Sequence, residues 1–274
     1  MRAPAVSGRF YPSGRAELET AVRELCDEAR AAGGGAPQPA LAAITPHAGY
    51  AYSGLTAAHV FTRIALPRLV VVIAPNHTGD FGAAGGASLW AEGAFTTPLG
   101  PVPVADDFGR ALCDAEPLVE PDPVAHRAEH AVEVELPFLQ VLRPDVRIVP
   151  LVLAFDAWEA CRALGDSLAR LVRRWSEPVL LLASSDLSHY EPAAATEAKD
   201  RRALDAIAAL DGGELLRRCR AERISMCGRA PAATVLAAAT TLGAETATVV
   251  DYRHSGQASG DFDSVVGYAG VVIA

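Results

Sequence analysis

The sequence has few cysteines, and their spacing is wrong for a disulfide framework. Five cysteines in 274 residues are an odd number, and no two of them form a C-x-x-C pair. They are Cys26, Cys113, Cys161, Cys219 and Cys227. This scatter excludes a disulfide-stapled scaffold and a structural zinc knot.

The sequence also lacks a basic excess and long apolar runs. Lys and Arg number 24 against 33 Asp and Glu, which gives a formal net charge of −9. Nucleic acids and anionic membranes need clustered positive charge, so we expect neither as a partner. No segment reaches the uninterrupted apolar length of a membrane span, and residues 1–6 lack the apolar core of a secretion signal. We therefore expect a cytoplasmic protein.

Aromatic residues make up 6% of the chain, whereas half of all residues are apolar. This composition, with a mean hydropathy of +0.18, indicates a globular protein with an aliphatic core. No internal repeat or second domain boundary is visible, so residues 1–274 are expected to form one α/β domain with a mostly parallel central sheet flanked by helices. The first helix is predicted over residues 14–32, and Pro150 predicts an irregularity or a sheet edge in the strand over residues 147–153.

Three of the seven histidines follow hydrophobic segments that are typical of buried strands. The strand and histidine pairs are residues 41–44 with His47, residues 69–74 with His77, and residues 179–183 with His189. If the strands are parallel, the three histidines lie at one edge of the sheet, where α/β proteins hold their ligands. They are therefore candidate site residues. Tyr50 and Tyr52 follow the first of them and are expected to line the entrance.

The segment over residues 126–137 has the highest density of ionisable groups. A helix beginning near His130 would place His130 and Glu133 on adjacent faces. Metal ligation by this pair is one interpretation. The other is structural, because Glu in a first helical turn also compensates the helix dipole. The zincin signature H-E-x-x-H is absent.

Cys227 differs from the other four cysteines because Gly228 and Arg229 follow it in place of an apolar helical face. Pro231 suits the first turn of the helix that comes next. The positive end of that helix dipole favours a thiolate, so we predict a lowered pKa for the Cys227 thiol. Cys227 is therefore a candidate functional cysteine.

These motifs resemble, in the same order, those of Memo-family proteins. They are Pro46-His47-Ala48-Gly49-Tyr50 with Ser53-Gly54, Pro75-Asn76-His77, Glu129-His130 followed by Glu133 and Leu136-Pro137, Ser184-Ser185-Asp186-Leu187-Ser188-His189, and Cys227-Gly228-Arg229. The resemblance extends from Gly8-Arg9-Phe10-Tyr11-Pro12 to Tyr268-Ala269-Gly270, which is nearly the whole chain. The Memo fold is similar to that of the class III extradiol dioxygenases, non-haem iron enzymes that open catechol rings.

The resemblance implies that His47 and His77 are metal ligands and that Cys227 takes the place of the carboxylate ligand of the iron dioxygenases. Fe(II) is then the first metal to expect. A thiolate is softer than a carboxylate and also suits copper or zinc, so dioxygenase activity does not transfer with the fold alone. The leading hypothesis is a metal-binding protein with redox or dioxygenase-type activity on an unknown small molecule.

The resemblance further implies that His189 is an acid/base group and that Asp186 and His130 lie behind the ligands or beside the substrate. Two other classes of function stay open. In one, Cys227 is a metal-free nucleophile activated by His189 and Asp186. In the other, the crevice binds a small molecule or a peptide without chemistry. Bacterial Memo-like proteins are associated with radical-SAM and AMMECR1-like partners, so the resemblance also implies a shared modification pathway.

Overall fold

A central sheet lies between two layers of helices. The computed structural model describes residues 1–33, 35–82 and 86–274. The helices in this part of the chain are α1 (Arg15–Ala31), α2 (Tyr50–Phe61), α3 (Asp106–Ala115), α4 (Leu136–Leu142), α5 (Trp158–Arg174), α6 (Ala193–Ala208), α7 (Gly212–Ala221), α8 (Arg229–Leu242) and α9 (Gly256–Ser259). Among the helices of these residues, none combines the length and the apolar character that crossing a bilayer requires.

The strands in the described residues are β1 (Ala42–Thr45), β2 (Leu69–Pro75), β3 (Ala87–Leu89), β4 (Ala94–Thr97), β5 (Gly100–Pro103), β6 (Val119–Pro121), β7 (Arg147–Leu153), β8 (Val179–Ser184), β9 (His189–Glu191), β10 (Ala247–His254) and β11 (Val265–Ile273). Nine of them form the main sheet, in the order β10-β11-β1-β8-β2-β7-β3-β6 with β9 paired to β11. The four central strands β1, β8, β2 and β7 are parallel neighbours. Antiparallel strands flank them, and β4 pairs with β5 in a separate hairpin. The predicted α/β class with a mostly parallel central sheet is confirmed.

Successive residues of β2 pack on opposite faces of the sheet. Val71 and Ile73 belong to the core that includes residues of α5 and α8, whereas Val70 and Val72 belong to the core that includes residues of α1 and α2. Both faces are covered, which explains the uninterrupted apolar sequence of this strand. Full burial of one such side chain contributes about 1.5–3 kcal/mol. The two cores therefore hold the central strands, and with them the loops at their ends, in fixed positions.

The helix predicted over residues 14–32 is confirmed as α1, but the edge position predicted for Pro150 is wrong. Pro150 lies inside β7, opposite Val72 of β2, and β7 runs between β2 and β3. The ladder with β3 ends at the Leu89–Leu151 pair. The Pro150 carbonyl accepts a hydrogen bond from the N–H of Trp90 just beyond that end. The N–H group that proline lacks would face the β3 side of β7. Because β3 has already ended at that point, none of its residues needs a hydrogen bond from Pro150.

The helix predicted to begin near His130 begins later in the chain. A short 3-10 turn covers Glu133–Glu135, and α4 begins at Leu136. The His130 carbonyl oxygen accepts a hydrogen bond from the N–H of Val134 at 3.0 Å. Glu129 Oε1 accepts hydrogen bonds from the backbone N–H groups of His130 and Ala131 at 2.8 and 2.9 Å, and it thereby satisfies donors that have no partner at the start of a helical segment.

The carboxyl ends of three parallel strands bring the predicted site loops together. β1 ends at Thr45, β2 at Pro75 and β8 at Ser184. β8 lies directly between β1 and β2 in the sheet, so the three following loops emerge at the same edge. The predicted convergence of these loops is confirmed.

Candidate metal centre

Three imidazoles meet at this edge of the sheet. His47 follows β1, His77 follows β2, and His130 lies in the segment before α4. One ring nitrogen of each lies within 4.8 Å of those of the other two, and the ring centroids are 5.1, 5.4 and 4.6 Å apart. Imidazole nitrogen is a ligand for iron, copper and zinc. This cluster of three histidines could therefore hold a metal ion.

His47 is held by its backbone and by one ring nitrogen. Its N–H donates to Asp186 Oδ1 at 2.9 Å, and its Nδ1 lies 2.8 Å from Ser184 Oγ. Burial lowers the pKa of His47 to about 3, and the neighbouring His77 and His189 act in the same direction. The imidazole is therefore neutral at physiological pH, which is the form that binds a metal.

Glu129 fixes the other two histidines of the cluster. Its Oε1 accepts hydrogen bonds from His77 Nδ1 at 2.9 Å and from the N–H of His130, and its Oε2 accepts from the N–H of His77 at 2.6 Å. Burial raises the pKa of Glu129, but the hydrogen bond and charge of His77 and the charge of His130 outweigh it and lower the pKa to about 2. A carboxylate bonded to Nδ1 presents Nε2 of the same ring to a metal, as in many metal-binding histidines.

The two histidines beside Glu129 differ in their affinity for a proton. Burial lowers the pKa of His77, but the hydrogen bond to Glu129 and its charge outweigh this effect and raise the pKa. Burial and the charge of His47 lower the pKa of His130 to about 4. In the metal-free protein, a proton on the cluster is therefore held by His77 in preference to the other two rings.

The Cys227 thiol lies at the side of the cluster. Its Sγ is 3.3 Å from His47 Nε2 and 3.6 Å from the carbonyl oxygen of Asp186. The predicted lowering of its pKa is wrong, because burial, together with the charge of Asp186, raises the pKa of Cys227. α8 begins two residues later, at Arg229. The cost of burying a thiolate therefore outweighs the field of the helix dipole.

Gly228 sets the position of Cys227. A Cβ atom on Gly228 would lie 2.4 Å from the Ser184 carbonyl oxygen and 2.4 Å from Ser185 Cβ. The N–H of Gly228 donates to Ser185 Oγ at 3.0 Å. Only glycine allows the start of α8 to pack this closely on the end of β8, and this contact brings the thiol to His47.

Asp186 and His189 also lie at this edge. Asp186 is buried, and burial raises its pKa, although the hydrogen bond from the N–H of His47 acts in the opposite direction. The backbone N–H of His189 donates to Ser225 Oγ at 2.8 Å, and His189 Nδ1 lies 3.1 Å from the Ser225 carbonyl oxygen. Ser225 thus fixes the ring through Nδ1 and leaves Nε2 available for proton transfer.

Glu133 is occupied by the N-terminal segment. Its buried carboxylate interacts with the Arg2 guanidinium, the backbone N–H groups of Ala5 and Val6, and the Tyr11 hydroxyl. Arg2 also donates to the backbone carbonyl of Glu129. This network therefore holds the loop that carries Glu129 and His130, and it explains Glu133 without metal ligation. Its members are 122 to 131 residues apart, so no local sequence pattern marks it.

The two tyrosines expected at the entrance occupy different environments. Tyr52 is 46% exposed, whereas Tyr50 is buried and donates its hydroxyl to the Val134 carbonyl at 2.8 Å. Both belong to the first turn of α2, where residues two apart point in nearly opposite directions. The placement of Tyr50 at the entrance is therefore wrong.

Comparison with known proteins gives concordant results for family and fold. Residues 2–272 match the family described as Memo-like protein. The chain is 36% identical to a MEMO1 family protein of Methanopyrus kandleri, over 99% of this chain and 98% of that protein. It is 37% identical to one of Aquifex aeolicus, over 99% and 98% of the two chains, and 39% identical to one of Aeropyrum pernix, over 99% of each.

A solved structure shares the fold. The crystal structure of an uncharacterized protein from Escherichia coli K12 superimposes with a TM-score of 0.58, covering 85% of this chain and 99% of that chain at 14% identity. At this identity the likeness concerns the fold alone. The nearly full-length family match and the relatives at 36–39% identity show that the chain belongs to the Memo family.

Proposed function

We propose that this protein binds a metal ion at the three-histidine cluster and uses it for redox or dioxygenase-type chemistry on a small molecule. The supporting observation is the approach of His47, His77 and His130 to within 4.8 Å of one another. Nδ1 of His47 is bonded to Ser184, and Nδ1 of His77 is bonded to Glu129. Such bonds present Nε2 to a metal. Fe(II) is the metal that we expect first, with copper and zinc as alternatives.

Cys227 would add a thiolate beside His47. On a tetrahedral ion with bonds of about 2.0 Å to nitrogen and about 2.3 Å to sulfur, the two ligand atoms lie about 3.5 Å apart. The separation of 3.3 Å between Cys227 Sγ and His47 Nε2 is close to that value. Because a thiol binds metal as thiolate, metal binding would release the proton that burial keeps on Cys227.

A bound metal would supply Lewis-acid and electron-transfer chemistry, and the residues of the chain would bind substrate and move protons. His189 Nε2 is the group that we assign to proton transfer, because Ser225 engages the other ring nitrogen. A crevice of about 280 Å³ lies beside the cluster, lined among others by Asn76, Cys227 and Arg229. Its size favours a small-molecule substrate. Action with radical-SAM and AMMECR1-like partners is part of the proposal and is supported by the family resemblance.

Metal content measured by mass spectrometry tests the proposal, on protein purified anaerobically without a chelating tag. We expect near-stoichiometric metal in the wild-type protein and its loss in His47→Ala and His77→Ala. His59→Ala is the matched control, since His59 is buried in α2 and contacts Arg63 outside the cluster. A wild-type protein that stays empty after anaerobic titration with Fe(II), Cu(I) or Zn(II) would refute the proposal.

Two further variants distinguish the ligand sets. The resemblance implies ligation by Cys227, whereas the geometry favours His130 as the third ligand. Loss of metal in His130→Ala with retention in Cys227→Ser assigns the three-histidine set. The reverse result assigns the thiol as third ligand beside His47 and His77.

The metal-free nucleophile has less structural support. Cys227 Sγ lies 3.3 Å from His47 Nε2, so the imidazole beside the thiol is that of His47 and not that of the predicted activating residue His189. Burial also raises the pKa of the Cys227 thiol, and the thiolate is the reactive form. We therefore expect slow alkylation of Cys227 by iodoacetamide at neutral pH in metal-free protein, whereas rapid alkylation would favour the nucleophile. Saturable peptide binding by an inactive, metal-free protein would favour a binding module.

A further inference from the structure

A bulge in β9 lies next to the histidine that we assign to proton transfer. The consecutive residues Val265 and Val266 of β11 lie opposite Glu191 and His189 of β9. Tyr190 is therefore an extra residue on β9, and its φ of 59° is in the left-handed region. Bulges of this kind bend the strand and redirect the neighbouring side chains. The bulge at Tyr190 therefore affects the direction of the His189 ring.

The side chain of Tyr190 does not hold this conformation. It is 76% exposed, and its one ring contact is with His189, at 5.6 Å between centroids. A residue other than glycine adopts the left-handed region at a cost in free energy. Such a conformation persists only where the surrounding structure imposes it. The residues on either side of Tyr190 must therefore be held in place.

Asp200 of α6 holds the chain before the bulge. Its buried side chain accepts a hydrogen bond from the N–H of Ser188 on Oδ1 and one from the Tyr252 hydroxyl on Oδ2, both at 2.9 Å. Gly267 of β11 leaves space for this carboxyl group, because a Cβ atom there would lie 1.8 Å from Asp200 Oδ2. The N–H of Gly267 donates to the Ser188 carbonyl at 2.9 Å. Ser188 is thus fixed from two sides.

Lys199, the preceding residue of α6, holds the chain after the bulge. Its ammonium group donates to Glu191 Oε1 at 2.5 Å and to the Arg223 carbonyl oxygen at 3.3 Å. Arg223 belongs to the segment that leads to Ser225, the residue bonded to His189. The Lys199 side chain therefore ties the end of β9 to α6 and to this segment.

The two anchors act together on His189. They lie at consecutive positions of one helix, so their separation is constant, and the chain between Ser188 and Glu191 meets it through the left-handed residue. The Ser225 carbonyl oxygen lies 3.1 Å from His189 Nδ1. A carbonyl oxygen can only accept, so Nδ1 is the donor.

We propose that Lys199 and Asp200 are positioning residues that hold Tyr190 in the left-handed conformation and thereby keep the His189 ring on Ser225. This arrangement can be measured in the metal-free protein, without a substrate. Its importance for proton transfer rests on the function proposed above.

Comparison of glycine with alanine at position 190 tests the backbone conformation. Tyr190→Gly and Tyr190→Ala both remove the exposed ring, so the ratio of their equilibrium constants for unfolding in urea reports the backbone. We expect the constant of Tyr190→Gly to be about fivefold lower, because alanine bears the cost of the left-handed region. We expect this advantage to be lost when Lys199→Met or Asp200→Ala is added, because glycine destabilises an ordinary strand.

Three controls separate the anchors from general effects. Leu210 also has a left-handed φ, of 56°, but lies outside β9, and its ratio of glycine to alanine should be the same in all backgrounds. Arg202→Met removes an ion pair with Glu222 on the same helix and should leave the ratio at position 190 unchanged. Asp200→Asn should do the same, because an amide can accept from the Ser188 N–H and donate to the Tyr252 hydroxyl.

NMR of the metal-free protein measures the effect on His189. We expect a slowly exchanging Nδ1 proton in the wild-type protein and in Asp200→Asn. In Lys199→Met and Asp200→Ala we expect it to exchange about tenfold faster, the effect of one lost hydrogen bond. If Asp200→Ala does not fold, Lys199→Met decides the outcome, because its side chain is partly exposed and its loss leaves no buried donor.

A glycine advantage at position 190 that persists in Lys199→Met would overturn the proposal. So would a His189 Nδ1 proton that exchanges at the wild-type rate in that variant. A wild-type protein that binds no metal but shows the expected effects would refute the proposed function and leave the role of Lys199 and Asp200 intact. Bound metal without these effects would give the reverse result.

Discussion

Replacement of Glu129 by glutamine is expected to destabilise the metal-free protein and to release two histidines of the cluster, His77 and His130, from the bonds that hold them. The carboxylate accepts hydrogen bonds from His77 Nδ1, from the N–H of His77 and from the N–H groups of His130 and Ala131. Glutamine keeps one acceptor oxygen but turns an NH2 group towards these donors. At least one buried N–H group then loses its partner.

The magnitude follows from the pKa of Glu129. The fold lowers this pKa from 4.5 to about 2, and at about 1.4 kcal/mol per pKa unit the ionised carboxylate stabilises the native state by about 3 kcal/mol. This stabilisation is complete at pH values well above 4.5, the pKa of the carboxyl group in the unfolded chain, and it is lost as the pH falls towards 2, the pKa in the folded protein. The gap between wild type and Glu129→Gln should therefore narrow by about 2 kcal/mol between pH 6 and pH 3.

His77 sets the alkaline limit of this window. Burial lowers the pKa of His77, but the hydrogen bond and the charge of Glu129 outweigh burial and raise it. The stabilisation that comes from protonated His77 is therefore complete below pH 6.5, its pKa in the unfolded chain, and is lost as the pH rises above its pKa in the folded protein. The difference in stability between wild type and Glu129→Gln is thus expected to be largest near pH 6 and to diminish on both sides.

Urea unfolding of chelator-treated protein, followed by circular dichroism at several pH values, measures this difference. With a urea dependence of about 3 kcal/mol per molar, a 3 kcal/mol loss lowers the midpoint by about 1 M. Glu19→Gln is the control, because Glu19 forms an ion pair with Arg23 on the surface of α1, and its midpoint should not move. Equal midpoints for wild type and Glu129→Gln at pH 6, or a gap that stays constant down to pH 3, would refute the reasoning.

Two further substitutions test the supports of the site. Arg2→Ala should lower the free energy of unfolding by about 3–5 kcal/mol, because it leaves the buried carboxylate of Glu133 without its cation. Arg68→Ala, which removes an exposed ion pair, is the control and should change the free energy of unfolding by less than about 0.5 kcal/mol. Urea unfolding measures both variants, and equal effects would contradict the argument. Gly228→Ala should weaken Zn(II) binding by about tenfold or more, or prevent folding, because its Cβ would lie 2.4 Å from the Ser184 carbonyl oxygen. Gly14→Ala is the control, because its Cβ meets only the flexible side chain of Glu17. If Gly228→Ala keeps the wild-type metal affinity and the wild-type melting temperature, the prediction is wrong.

The sequence predicted the features that depend on short segments. The apolar strands before His47, His77 and His189 are visible as local runs, and parallel pairing brings their ends to one edge without further information. α1 was equally predictable, because its buried residues recur at helical spacing. The candidate loops of the site therefore followed from periodicity and chain order.

Features that depend on long-range contacts were not predictable in this way. Glu129 has the local sequence context of a helix-start residue, but in the structure its carboxylate also bonds to His77, 52 residues away. The pKa of Cys227 was predicted from the helix that follows it, whereas burial by distant segments decides its direction. Pro150 occupies an interior strand because its partner β3 ends one residue earlier, which no local pattern records.

The insertion of β8 between β1 and β2 determines when the site can form. His47 and Asp186 are in hydrogen-bond contact but 139 residues apart in the chain, and the loops after β1 and β2 gain their shared neighbour only when β8 enters the sheet. Closing a loop of this length makes such contacts slow to form. During synthesis, His47 and His77 leave the ribosome long before residues 179–184 are made. Completion of the cluster is therefore a late folding event, and the metal binding that we propose would follow the entry of β8 instead of guiding the folding of the first half of the chain.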